Sequence, residues 1–147
     1  MRAHLLDLNL LVALAWPNHV HHRLAHEWFS ESKVAGWATC PLTQCGFVRL
    51  SSNPAIVDDA VSPRDAIELL RRITALEHHQ FWPDAVGVCG SECDAFRRLV
   101  GHRQVTDAYL VCLAAHNGGK LATLDGRIAS LFENKEAIAD AVTFISS

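Results

Sequence analysis

VTDAYLVCLAAHNGGKLATLDG, residues 105–126, decides the fold. Its first half predicts a helix over 106–117, rich in Leu, Val, Cys and Ala. Its second half predicts a short apolar strand over 120–124 that closes on Asp125. The start of the chain repeats the strand-and-acid pattern. AHLLD predicts a strand over 3–6 closed by Asp7, and LNLLVALAW then carries enough apolar residues for a buried helix ending near Pro17. Strands alternating with helices make an α/β domain with a mainly parallel central sheet flanked by helices, because parallel neighbours need crossover connections. In such a sheet ligands bind outside the carboxyl ends of the strands. Asp7, Asp107 and Asp125 are therefore expected to converge although they lie far apart in the chain.

The intervening sequence fills in the pattern. Residues 21–32 predict an amphipathic helix with Leu24, Ala25, Trp28 and Phe29 facing a core, and residues 36–39 a second strand. Pro41 opens a helix that stops by Asn53 and Pro54, and Ser62-Pro63 with Asp65 opens another running to about Leu76. A strand near 79–82, a helix from about Ser91, a polar loop GHRQV and a last strand over 142–145 complete the expectation. Residues 53–61 and the last few residues are the expected disordered parts. With 147 residues, half of them hydrophobic, one compact domain over 1–147 is expected. No window resembles a membrane span or a signal peptide, so a cytoplasmic protein is expected. The five cysteines, odd in number, read as small hydrophobes in a reducing compartment. A net charge of −3 excludes a strongly basic chain but not a nucleic-acid binder.

Each of the three acids alone has an ordinary reading. Asp7 would cap a helix, Asp107 would sit in a first helical turn where Thr106 caps and the dipole favours a carboxylate, and Asp125 would open an Asp-Gly turn. Together they point elsewhere. Carboxylates forced together repel unless a cation joins them, and hard divalent ions bind such oxygens while keeping several waters. Asn9, two residues after Asp7, would hydrogen-bond and orient that carboxylate.

The ordered set LLDLNLLVAL, HHRLAHEWF, TQCGFVRLSSNP and VTDAYLVCLAAHNGGKLATLD resembles the PIN-domain ribonucleases, and within them the VapC toxins of type II toxin–antitoxin modules. The resemblance covers nearly the whole chain. It implies a PIN fold, a Mg²⁺ or Mn²⁺ cofactor held by Asp7, Asp107 and Asp125, and supporting roles for Asn9, Thr106 and Thr123. The implied reaction is endonucleolytic RNA hydrolysis. A metal-activated water attacking phosphorus in line leaves 5′-phosphate and 3′-hydroxyl ends. The implied partners are a VapB-like antitoxin and a second copy of the chain, with an antitoxin Arg or Lys entering among the three acids. The family's second acidic position falls on Gln44, an uncharged and weaker ligand. That substitution keeps open the alternative of a catalytically weak or inert PIN-fold module that binds RNA or protein. Asp94 is a remote candidate to replace the missing acid.

Arg49 and Arg103 are the expected RNA contacts, whereas Arg71 and Arg72 read as a solvated helix face. The histidines at 19, 21, 22 and 26 lack the spacing of a structural zinc site, and Cys89 with Cys93 form no CxxC motif. The four tryptophans read as core and interface, with Trp16, just ahead of Pro17, partly exposed. A phosphoaspartyl hydrolase is a distant rival, since such enzymes need an acid where Asn9 stands.

Overall fold

The computed structural model describes residues 2–90 and 93–147. The chain runs β1 (His4–Leu6), α1 (Leu8–Ala15), α2 (His22–Ser32), β2 (Trp37–Thr39), α3 (Pro41–Ser51), α4 (Pro63–Thr74), β3 (His79–Phe81), α5 (Asp94–Arg97), α6 (Val105–His116), β4 (Lys120–Thr123), α7 (Lys135–Ala141) and β5 (Val142–Phe144). The strands form one all-parallel sheet in the order β3-β2-β1-β4-β5. β1 lies in the middle, with Leu5 paired to Ala38 on one side and to Leu121 on the other. The α/β architecture read from the sequence is the one found.

Both faces of the sheet are covered, and alternation along the strands divides them. Leu5, Ala38 and Leu121 point to a cluster with Leu110, Val111, Leu113 and Ala114 of α6. Their neighbours Leu6, Trp37 and Ala122 point the other way, to Leu10 and Leu11 of α1, Phe47 of α3 and Leu70 of α4. Leu5, Leu6, Leu10, Leu11, Leu110, Leu113 and Leu121 are fully buried. Each contributes roughly 2 kcal/mol of apolar burial. α6 is thereby clamped flat against the sheet. It ends in a Schellman turn, in which Gly118 at φ +70° donates to Ala115 O and Gly119 N donates to Ala114 O at 2.8 Å. A side chain at Gly119 would strike Ala3 O and Trp82, so glycine there lets β4 start close beside the start of β1.

Several local expectations hold. Ser62 accepts from Asp65 N at 3.1 Å with Pro63 in the first turn of α4, and Trp37 and Trp82 are buried. His22 and His26 bond the carbonyls of Ala13 and Leu14, so this pair ties down the end of α1. Arg71 and Arg72 pair with Glu68 on their own helix.

Others are corrected. Residues 53–61 are a series of hydrogen-bonded turns, with Ile56 N and Val57 N both donating to Asn53 O at 3.0 Å. Asn53 also accepts from Ala55 N through its side chain. The helix start expected at Ser91 lies outside the described residues, and α5 is a short piece from Asp94. GHRQV is not a plain loop: His102–Gln104 form a 3-10 turn that runs straight into α6. The 3-10 segment Gly126–Leu131 and α7 add to the expected elements, and Asn134 caps α7 by accepting from Ala137 N at 2.8 Å. The cysteine reading fails in part. Cys40 is buried and free, but Cys45 and Cys89 are exposed, and Cys93 and Cys112 form a disulfide tying the start of α5 to α6. Among the described residues no helix is long and apolar enough to cross a membrane.

Candidate active site

The carboxyl ends of β1 and β4, side by side in the centre of the sheet, bring the first acids together. Asp7 leaves β1 in an extended conformation, caps α1 by accepting from Leu8 N at 2.8 Å, and is only 6% exposed. Its other oxygen accepts the Thr123 hydroxyl at 2.6 Å. That hydroxyl in turn accepts from Asp125 N at 3.0 Å, so one buried side chain fixes the ends of both strands. A hydroxyl has one proton to give, and the Asp125 amide directs it to Asp7. Capping and site-building are thus the same geometry at Asp7. Asp107 arrives from α6, in its first turn and half-buried. Asp125 opens the 3-10 turn, accepting from Arg127 N at 2.9 Å. Arg127 then grips the same carboxylate, with Nε 3.0 Å from Oδ1 and 3.1 Å from Oδ2, and Nη2 2.8 Å from Oδ2.

The electrostatics are uneven across the three. Burial pushes the Asp7 carboxyl up, against the pull of the Thr123 and Leu8 bonds, and the Asp125 charge adds to the rise. Asp107 is pushed up to about 6 by burial and then by the charges of Asp7 and Asp125, with Arg127 opposing. Asp125 goes the other way, held below the usual carboxylate range by the Arg127 bonds. Asp7, Asp107 and Asp125 therefore feel one another's charge. Negative charge on the first two is unfavourable until a cation joins them.

The donors fit a hard ion. All are oxygens, and the Asp7 and Asp107 carboxylates are destabilised by burial and then by neighbouring carboxylate charge. Among the described residues no three His, Cys, Asp or Glu side chains stand close enough to cage an ion alone. Mg²⁺ is commonly held by one or two carboxylates with retained waters, so Asp7 and Asp107, joined by Asp125, match its demands.

The supporting residues divide. Thr123 is found at the centre of the site. Asn9 is exposed and does not orient Asp7, whose partners are Leu8 N and Thr123; it faces instead a cavity of about 340 Å³ lined by Leu8, Val12, Trp16 and Leu50. Thr106 does not cap α6, because the helix begins one residue earlier than expected and Gln104 takes the cap position. Gln104 accepts from Val100 N and Gly101 N instead. Gln44 is half-buried on α3, one strand over, and its amide donates to Thr39 Oγ1 at 3.0 Å. Thr39 also meets His79 Nε2 at 2.8 Å, so this neighbouring part of the edge is a neutral network. Asp94 is exposed, pairs with Arg97 and lines a separate cavity, away from the three acids. Arg49 and Arg103 are exposed and, among the described residues, have no salt-bridge partner.

Arg127 is a site residue that the sequence reading does not name. Its signal is present all the same: two residues after an Asp that opens a turn, a long cation folds back onto that carboxylate. Asp84, just after β3, accepts the Tyr109 hydroxyl at 2.7 Å, tying the segment after β3 to α6.

Residues 4–133 match the family model described as the PIN domain. The chain is 45% identical over 125 residues to Ribonuclease VapC39 of Mycobacterium tuberculosis, covering 85% of this chain and 90% of that protein. It is 43% identical over 131 residues to Ribonuclease VapC38 of the same organism, covering 89% of this chain and 91% of the relative. Ribonuclease VapC29 is 43% identical over 127 residues, 86% of this chain and 89% of its own length.

Proposed function

This chain belongs to the PIN domain family and, within it, to the VapC ribonucleases, and from that premise we propose that it is a Mg²⁺- or Mn²⁺-dependent endoribonuclease, the toxin of a VapBC-type module. The observation that supports the metal dependence is the gathering of Asp7, Asp107 and Asp125 at the carboxyl ends of β1 and β4 and the first turn of α6, where burial and then the charges of Asp7 and Asp125 lift the Asp107 carboxyl to about 6. Asp7 and Asp107 are the proposed ligands, Asp125 completes the acidic set, and Thr123 is the positioning residue that aims Asp7. A bound ion would supply a water of lowered pKa and offset charge on the phosphate. The residues of the chain do the rest. Thr123 and Leu8 N fix the two Asp7 oxygens, the dipole at the start of α6 favours the ionised form of Asp107, and the covered strand ends keep these groups oriented. Gln44 is the weakest member, its amide engaged with Thr39. Arg49 and Arg103 are proposed to hold flanking RNA phosphates.

The proposed products carry 5′-phosphate and 3′-hydroxyl ends. The proposed partners are a cognate VapB-like antitoxin and a second copy of the chain, the whole of 1–147 forming one domain. The proposed setting is the cytoplasm, where the Cys93–Cys112 bond would be in exchange with reducing thiols.

The test is cleavage of total cellular RNA by protein freed of partners, with Mg²⁺ or Mn²⁺, with EDTA, and beside Asp7→Asn, with ends and cut sites mapped. Discrete cuts that need metal, carry 5′-phosphates and vanish in the variant are the expected result. A folded, metal-replete protein that leaves RNA intact would instead be an inert PIN-fold binding module.

A further inference from the structure

Arg127 holds Asp125 through a fork, with bonds to both carboxylate oxygens. The two partners differ in exposure: the Arg127 side chain is 82% exposed and that of Asp125 only 19%. The guanidinium therefore sits on the open side of a covered carboxylate, where an ion joining Asp125 to Asp7 and Asp107 would approach. The fork is a well-formed pair, but its cation is open to solvent, so the guanidinium is readily rehydrated when a stronger cation takes its place. A divalent ion held by Asp7 and Asp107, with the Asp125 charge beside them, has twice the charge of the guanidinium and so the stronger claim. Displacing the guanidinium leaves the Arg127 N–H on Oδ1, so Asp125 keeps its orientation after the side chain departs. The freed fork stays tethered two residues from Asp125. Its planar donors match a phosphate as they match a carboxylate.

We propose that Arg127 exchanges between Asp125 and the RNA phosphate, the divalent ion driving the exchange, so that phosphate capture is coupled to metal loading. The inference rests on the ribonuclease reading above. In the metal-free protein Arg127 stands in for the missing charge; in the loaded protein it is a substrate-binding residue. An arginine that merely stabilised the turn would do neither.

Two readouts test it on wild type, Arg127→Ala, Arg127→Lys and Asp107→Asn, each checked for native folding by circular dichroism. Mn²⁺ affinity is read from the paramagnetic resonance signal of the free ion, and KM and kcat from cleavage of a single-stranded RNA containing a mapped cut site. Arg127→Ala is expected to bind Mn²⁺ roughly fivefold more tightly, since a competitor has gone. The same variant raises KM by roughly tenfold or more with a smaller change in kcat. Arg127→Lys, a point charge without the fork, recovers part of the KM loss. Unchanged or weaker Mn²⁺ binding by Arg127→Ala, or an unmoved KM, overturns the proposal while wild type still outbinds Asp107→Asn. If wild type and Asp107→Asn bind Mn²⁺ equally poorly, the metal reading itself falls and takes the proposal with it.

Discussion

β1 is three residues long, with a titratable group at each end, and the two ends behave differently. At the amino end, His4 meets the Thr143 hydroxyl of β5 at 2.8 Å, stacks edge-on against Trp28 of α2, and keeps its buried Nδ1 without a partner. Burial, with the charges of Lys120 and Arg2, pushes its pKa down to about 4. At the carboxyl end Asp7 meets the Thr123 hydroxyl of β4, and burial pushes its carboxyl up. Each end pairs a buried titratable group with a threonine on another strand of the sheet, and each disfavours the charged form. The difference lies in the company. His4 is simply kept neutral among cations, a structural state. Asp7 faces two more carboxylates, and Arg127 pairs with Asp125, leaving Asp7 and Asp107 without a salt bridge among the described residues. Burial of a titratable group does not mark a site; unbalanced like charge at the ligand-binding edge of the sheet does.

The most severe way to break this contrast is Asp7→Asn. It keeps the cap on α1 and the size of the side chain but removes the charge. Cleavage is expected to fall by roughly a thousandfold or more, as for loss of a metal contribution of several kcal/mol, with the melting temperature unchanged or raised. Retained cleavage would place the chemistry elsewhere. The threonines give the next largest effect. Thr123→Val leaves a buried Asp7 oxygen without its donor, and activity is expected to drop roughly 10–100-fold. Thr143→Val removes the matching hydroxyl from His4 and is expected to cost about 1 kcal/mol in denaturant unfolding while leaving cleavage intact. Equal effects of the two variants would mean the ends of β1 are not distinct.

The difference in pH-dependent stability between wild type and His4→Asn isolates the amino end, because the raised carboxyls of Asp107 and Asp7 act over the same window with the opposite sign. His4 has a depressed folded pKa, so its neutral form is favoured by folding. The associated stability is fully present above the unfolded value near 6.5 and is lost as pH falls through about 4, because the unfolded chain takes up the proton first. The loss is on the order of 1 kcal/mol after allowance for the partly exposed ring. His4→Asn is expected to remove that contribution and so lower the slope over that window. A slope that the substitution leaves unchanged would assign the acid sensitivity to other groups.

What was legible in the sequence followed from local signals. The apolar run after Asp7, the Ser62-Pro63 start and the stretch 105–126 placed the strands, the helices and the three acids, because each rests on periodicity or capping within a few residues. The rest depends on contacts the sequence does not pair. Asn9 was expected to orient Asp7 from two residues away, but the helical turn carries it outward, and Thr123, on another strand, does the work. Thr106 has no capping role because the turn His102–Gln104 runs into α6 and moves the boundary by one residue. Cys93 and Cys112 meet only because α5 packs on α6, in a chain with no cysteine framework to announce it. Arg127 looks in sequence like one more surface cation, and only the fold sets it across a covered carboxylate.

Gln44→Glu probes the smallest effect and the sharpest boundary. Leu5 pairs with Ala38, so Asp7 and Cys40 leave adjacent strands, and Gln44 lies one turn into the helix that Cys40 begins. A carboxylate there can keep the local network. Thr39 would turn its hydroxyl toward the new carboxylate, and His79, whose burial favours the neutral ring, would supply Nε2–H to Thr39 by changing tautomer. Stability is therefore expected to stay within about 1 kcal/mol of wild type. A unit charge on the neighbouring helix, screened from a divalent ion by a water-like medium, is worth on the order of 1 kcal/mol, so Mn²⁺ affinity is expected to rise by roughly fivefold. A gain of that size would make the neutral network a dormant extension of the acidic site, weakened by the loss of one charge. No gain would confine the site to β1, β4 and α6, with the outer strands serving only to hold α3 in place.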